Sequence, residues 1–150
     1  MEKILNFVDN LECPAINGIT YSDGRVIPVK LIVDWESPIN YKIELEKESS
    51  IKKIAKNKGL RWNDCAVLSN LTNIEKGIEI FAGEGDYGSD GFLAVINLTN
   101  KKLKWIAFFD FSNPFNQLSL NGDVIYAVST NNCIWKFPLN SPSQFTIESI

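Results

Sequence analysis

Along most of the chain, apolar and polar residues alternate with a period of two. Val29, Leu31, Val33 and Trp35 share one parity; after Ser37-Pro38 the alternation resumes with Ile39, Tyr41, Ile43 and Leu45 against Lys42, Glu44 and Glu46. Strands with one buried face read this way, because successive side chains point to opposite sides of a sheet. Gly18 to Tyr21 and Arg25 to Trp35 flank Ser22-Asp23-Gly24, in which Asp and Gly supply a turn. Residues 1–48 are therefore expected to form strands. Pro28 has no backbone donor, which predicts a sheet edge or a bulge there.

One segment switches to a helical period. Ser49 or Ser50 offers a cap, Ile51, Ile54 and Ala55 mark one face, and Gly59 follows Lys56 and Lys58 as a stop signal. A short helix near 49–58 is expected, and its lysines read first as a solvated face and second as a site for an acidic or phosphorylated partner.

Beyond Leu60 the strand pattern returns. Cys65 to Leu71, Ile78 to Ala82, Phe92 to Leu98, Leu103 to Phe111, Gln117 to Leu120, Val124 to Ser129 and Cys133 to Pro138 are strand candidates, with Phe145 to Ile150 as a last one. Thr99-Asn100, Asn121-Gly122-Asp123 and Thr130-Asn131-Asn132 supply the turns; Asn-Gly is the strongest short hairpin signal. The expectation is a single domain over residues 1–150, all-β or β-dominant α+β, built as an antiparallel meander or sandwich with that one helix. The hairpin of Val124 to Val128 and Cys133 to Phe137 echoes a propeller blade, but a propeller needs about four blades of roughly 40 residues each.

Composition narrows the function. With 15 basic and 18 acidic residues, a net charge of -3 and 45% hydrophobic residues, the chain reads as one ordinary soluble domain. It has no histidine, which removes serine–histidine–acid triads, cysteine–histidine pairs, His-ligated zinc and histidine bases. The mild acidity also argues against direct binding of nucleic acid, which rests on phosphate neutralisation. Cys13, Cys65 and Cys133 are far apart and odd in number, so they read as buried thiols and not as disulfides or a metal knuckle. The stretch from Met1 to Phe7 lacks the pattern of a signal peptide, and the longest apolar run, Trp105 to Phe109, is far below the ~20 residues that span a bilayer. A cytoplasmic protein without a membrane partner is expected.

The most unusual stretch is Ala82-Gly83-Glu84-Gly85-Asp86-Tyr87-Gly88-Ser89-Asp90-Gly91. Three acids and no lysine are electrostatically wrong for cradling phosphate, and the spacing lacks the pattern of a calcium-binding EF-hand. It fits a solvated hairpin loop, or a recognition loop presenting Glu84, Asp86 and Asp90 around an aromatic anchor, Tyr87. Asp110, inside Phe108-Phe109-Asp110-Phe111, is either a structurally paired acid or a marker of a functional face. Arg61-Trp62-Asn63-Asp64-Cys65 could be read as a base and a nucleophile, but no group is at hand to activate the thiol. No catalytic residue, metal or cofactor is expected.

The runs Gly88 to Val95, Trp105 to Phe115 and Val124 to Ser129 resemble immunity proteins of bacterial toxin–immunity systems, those of contact-dependent growth inhibition and polymorphic-toxin loci. The resemblance implies a β-rich, non-catalytic protein that binds a cognate toxin domain, a nuclease for example, and blocks its active site or substrate cleft. Glu84, Asp86, Tyr87, Asp90 and Asp110 would then be toxin-binding residues. The alternatives are a carbohydrate- or ligand-binding β-module with exposed tryptophans, and a carboxylate-dependent hydrolase.

Overall fold

The computed structural model describes residues 2–150; Met1, at the head of the stretch read for strands and for a targeting signal, lies outside them. The chain is β-dominant and its strand pairs are antiparallel. Two helices of one turn each, α1 (Glu2–Leu5) and α2 (Phe7–Asn10), lead into β1 (Glu12–Pro14), β2 (Gly18–Tyr21), β3 (Arg25–Asp34), β4 (Asn40–Leu45) and β5 (Ser49–Ser50). The helix α3 (Ile51–Lys58) follows, then β6 (Trp62–Asp64), β7 (Ala66–Asn73), β8 (Ile78–Glu84), β9 (Gly91–Asn97) and β10 (Leu103–Phe109). The last part is β11 (Phe115–Asn121), β12 (Val124–Ser129), β13 (Cys133–Pro138) and β14 (Thr146–Ser149).

These strands form an eight-stranded sheet in the order β4-β3-β2-β10-β9-β8-β7, with β5 beside β3, and a four-stranded meander β11-β12-β13-β14. One core fills the space between the two sheets. Leu93, Val95, Ala107 and Phe109 of the large sheet meet Phe115, Ile125, Trp135 and Phe137 of the small one. A second core lies on the other face of the large sheet. There Phe92, Ala94, Ile96, Ile106 and Phe108 are covered by Ile4 and Phe7, by Cys13 of β1 and by Ile51 of α3. Strands β9 and β10 are thus buried on both faces, which is why they read as continuous apolar runs where the outer strands alternate. A bulge between Leu103 and Trp105 resets the parity, so Leu103 points into the second core and Trp105 into the first.

The expected helix is α3, capped as its sequence indicates: the Lys53 N–H donates to Ser50 Oγ at 3.1 Å, and Gly59 ends it with φ +75°. Ser50→Ala is expected to cost about 1 kcal/mol and Ser50→Gly only a few tenths. Thermal unfolding checks this, and equal losses for the two variants would deny the cap its role. Residues 2–10 depart from expectation by forming α1 and α2, which bury Ile4 and Phe7 respectively. Pro28 lies in β3 where its outer neighbour changes from β5 to β4, and its carbonyl accepts from the Glu46 N–H.

Candidate functional site

The glycine-rich stretch between β8 and β9 is a loop ordered by its own acid. Asp90 is fully buried, and its carboxylate accepts from the Gly85 N–H at 2.9 Å and, at 3.5 Å, from the Tyr87 N–H and Asn63 Nδ2. Gly85 is required by this approach: a Cβ there would lie 2.4 Å from Asp90 Oδ2. Asp90 therefore does not belong to an exposed acidic surface, and that expectation is corrected. The backbone donors of a tight loop needed a buried acceptor, and the acid turned inward to supply it.

Burial pushes the Asp90 carboxyl above the usual carboxylate range, with backbone donors led by Gly85 pulling the other way. Its folded pKa thus exceeds its unfolded one. The associated stability is complete below the unfolded pKa and is lost as pH rises through the folded pKa. Asp90→Asn cannot titrate, so lowering the pH from neutral towards the carboxylate range should move the stability difference in favour of the wild type. Asp90→Ala, which leaves Gly85 N–H unpaired, should cost about 1–3 kcal/mol at neutral pH. Denaturant unfolding at several pH values checks both; a difference that stays flat with pH would refute the titration.

The rest of the loop is clamped from two sides. On one side Arg61 stacks on Tyr87, its guanidinium carbon 4.6 Å from the ring centroid, and donates to the Tyr87 hydroxyl. Arg61 Nη2 also lies 3.7 Å from Asp86 Oδ2, and the same oxygen accepts from the Asp64 N–H at 3.4 Å. On the other side Ser89 Oγ donates to the Asp110 carbonyl at 3.1 Å, and the Asn113 N–H donates to the Ser89 carbonyl at 2.8 Å. Glu84 sits half-buried at the end of β8, opposite Ala66.

Asp110 is structurally paired. Asn17 Nδ2 donates to Asp110 Oδ1 at 3.0 Å while the Asp110 N–H donates to Asn17 Oδ1 at 2.8 Å, a reciprocal clasp between the start of β2 and the end of β10. The next residue, Phe111, is 48% exposed and meets Trp35, 57% exposed, edge to face at 6.1 Å. Sequence parity placed Trp35 with the core. In fact β3 runs out past the opposing sheet, so Val29 is buried, Leu31 and Val33 half-buried and Trp35 open. Tyr87 is 53% exposed, and neither core covers Trp35, Phe111 or Tyr87.

Between Phe111 and Arg61 runs a groove of about 660 Å³. Its walls are α3, β3 and the segment Ala15–Asn17. This groove has no local sign in the sequence, since its parts lie far apart along the chain.

No protein-family model matches the chain, and no curated protein matches it either.

The other readings find little in this geometry. Cys65 is buried in the second core beside Cys13, and Asp64 is exposed at the end of β6. Trp105 and Trp135 lie in the core, which leaves Trp35 exposed and Trp62 half-buried. No group of three or more potential metal ligands occurs among them, and no helix is long and apolar enough to cross a membrane.

Proposed function

We propose that this chain is a recognition protein of the immunity type, which binds a cognate toxin domain and neutralises it by occluding its active site or substrate cleft. The observation that supports this is two exposed pairs flanking one groove: Trp35 against Phe111, and Arg61 against Tyr87 on the internally bonded loop, which Ser89 ties to the residue before Phe111. Trp, Tyr and Arg are the residues that carry most of the energy in protein interfaces. Fixing them before encounter lowers the ordering cost of binding.

The acids contribute less than their number in the sequence implies. Asp90 is inside the protein and Asp86 is partly answered by Arg61, so aromatic contact takes the larger share and charge steers encounter. A nuclease effector domain remains the class of partner the resemblance implies. The test is co-expression of this chain with the toxin domain encoded beside it. Rescue of growth with recovery of a one-to-one complex supports the proposal; unrelieved toxicity with no complex refutes it.

A further inference from the structure

We infer that the groove between α3 and β3 takes an extended acidic segment of a protein partner, which adds to the large sheet as a strand in the lane that β2 leaves empty. The inference rests on the recognition reading above and names the chemistry of one element the partner inserts. Three observations carry it.

The first is sheet geometry. In the order β3-β2-β10, β2 begins at Gly18, while β3 continues past its partner Pro28 to Asp34 and the chain after β10 continues to Phe111. The segment Ala15–Asn17 does not fill the lane, because Ala15 turns away and its N–H donates to the Arg61 carbonyl. After β10 the chain leaves the sheet in a turn at Asp110–Phe111, where the Phe111 carbonyl accepts from the Tyr41 hydroxyl at 3.0 Å and its ring meets Trp35, so the edge of β3 lies open beside Leu31, between Asn17 and that clasp.

The second is the direction of the main-chain groups. The Pro28 carbonyl accepts from Glu46 on the β4 side, whereas the Val29 N–H donates to the Asn17 carbonyl on the β2 side. Main-chain direction alternates along an antiparallel strand, so Leu31 and Val33 face the same side as Val29, into the vacant lane. An edge of this kind is what strand addition uses.

The third is charge. Lys30, Lys47, Lys53, Lys58 and Arg61 line the groove against Glu46 and Asp110. The four lysines form no ion pair among the described residues. In a chain of net charge -3, this concentration of cations around an edge with an apolar neighbourhood (Ile16, Leu31, Ile54) selects an acidic segment with apolar side chains.

The test titrates the whole protein with a capped, fluorescein-labelled peptide of alternating Glu and Val. The same peptide with Lys for Glu and a short single-stranded oligonucleotide serve as controls, and amide exchange is followed by NMR. Saturable binding of the Glu peptide alone, weakened at least about tenfold by Lys53→Glu with Lys58→Glu, and slowed exchange at Leu31 and Val33 are expected. Absence of saturable binding, binding without protection of those two amides, or tighter binding of the oligonucleotide would each overturn the inference. If the peptide fails while the toxin complex forms, only the groove assignment falls. If the peptide binds as expected and no toxin complex forms, the immunity reading falls and the groove stands.

Discussion

Trp135→Ala is expected to cost about 3–5 kcal/mol, the range for deleting a fully buried large aromatic side chain. The indole of Trp135 is fully buried where the two sheets meet, with the rings of Phe109, Tyr41, Phe115 and Phe145 at centroid distances of 4.9, 5.3, 5.3 and 5.8 Å. Removing it leaves a void lined by rigid rings on two different sheets, which cannot close over the gap without shifting one sheet on the other. Against a typical total stability of about 5–15 kcal/mol, that loss brings the chain close to unfolding. Urea unfolding measures it, and a loss under ~1 kcal/mol would show that this ring cluster does not join the sheets.

A paired comparison isolates the polar part. Trp105 Nε1 donates to the Leu139 carbonyl at 3.0 Å, whereas Trp135 Nε1 has no partner among the described residues. Trp105→Phe strands a buried acceptor, while Trp135→Phe removes a donor that was unsatisfied in the first place. The second should therefore be the milder change, although Trp135 is the deeper residue.

The second large effect concerns binding. Trp35→Ala and Tyr87→Ala should each weaken the toxin complex by roughly 30-fold, the consequence of losing about 2 kcal/mol at an interface anchor. Both residues are more than half exposed, so folding stability should change by less than about 1 kcal/mol. The loss should appear chiefly as faster dissociation, because docked aromatic contacts form after the encounter that sets the on-rate. Surface plasmon resonance separates the two rates. Affinities within threefold of wild type for both variants would remove these two aromatic side chains from the interface.

Legibility of the sequence varied with the range of the interaction responsible. β12 and β13 occupy the residues that alternation and the turn Thr130-Asn131-Asn132 assigned to them, since a hairpin is specified by its own strands and turn; Asn132 has φ +62°. Helix α3 was readable from Ser50 and Gly59 for the same local reason. The pairing of β1 with β6, Cys13 opposite Asn63, joins segments that are distant in sequence and carries no local signal. Nor could the parity of Trp35 disclose that β3 outruns the sheet packed against it.

The candidate loop was found, but the direction of its acids was not. Glycine and aspartate together indicated a solvated loop, and the same residues serve as well when one carboxylate caps the turn from inside. That difference changes how the loop is tested. Reversing charge at Glu84, Asp86 and Asp90 together would place a cation in a buried site at Asp90 and disrupt the loop, so any lost affinity would say nothing about steering. Reversal at Glu84 and Asp86 alone leaves that acceptor in place. Tyr87 reports on the surface more cleanly than either.

The central claim is that this chain works by binding a toxin domain, and calorimetric titration with the domain encoded beside it tests that most directly. Expected is a one-to-one complex with a dissociation constant on the order of nanomolar, weakened to about micromolar in the Trp35→Ala, Tyr87→Ala double variant. No heat of association at micromolar concentrations, or a complex unaffected by the double variant, would contradict it.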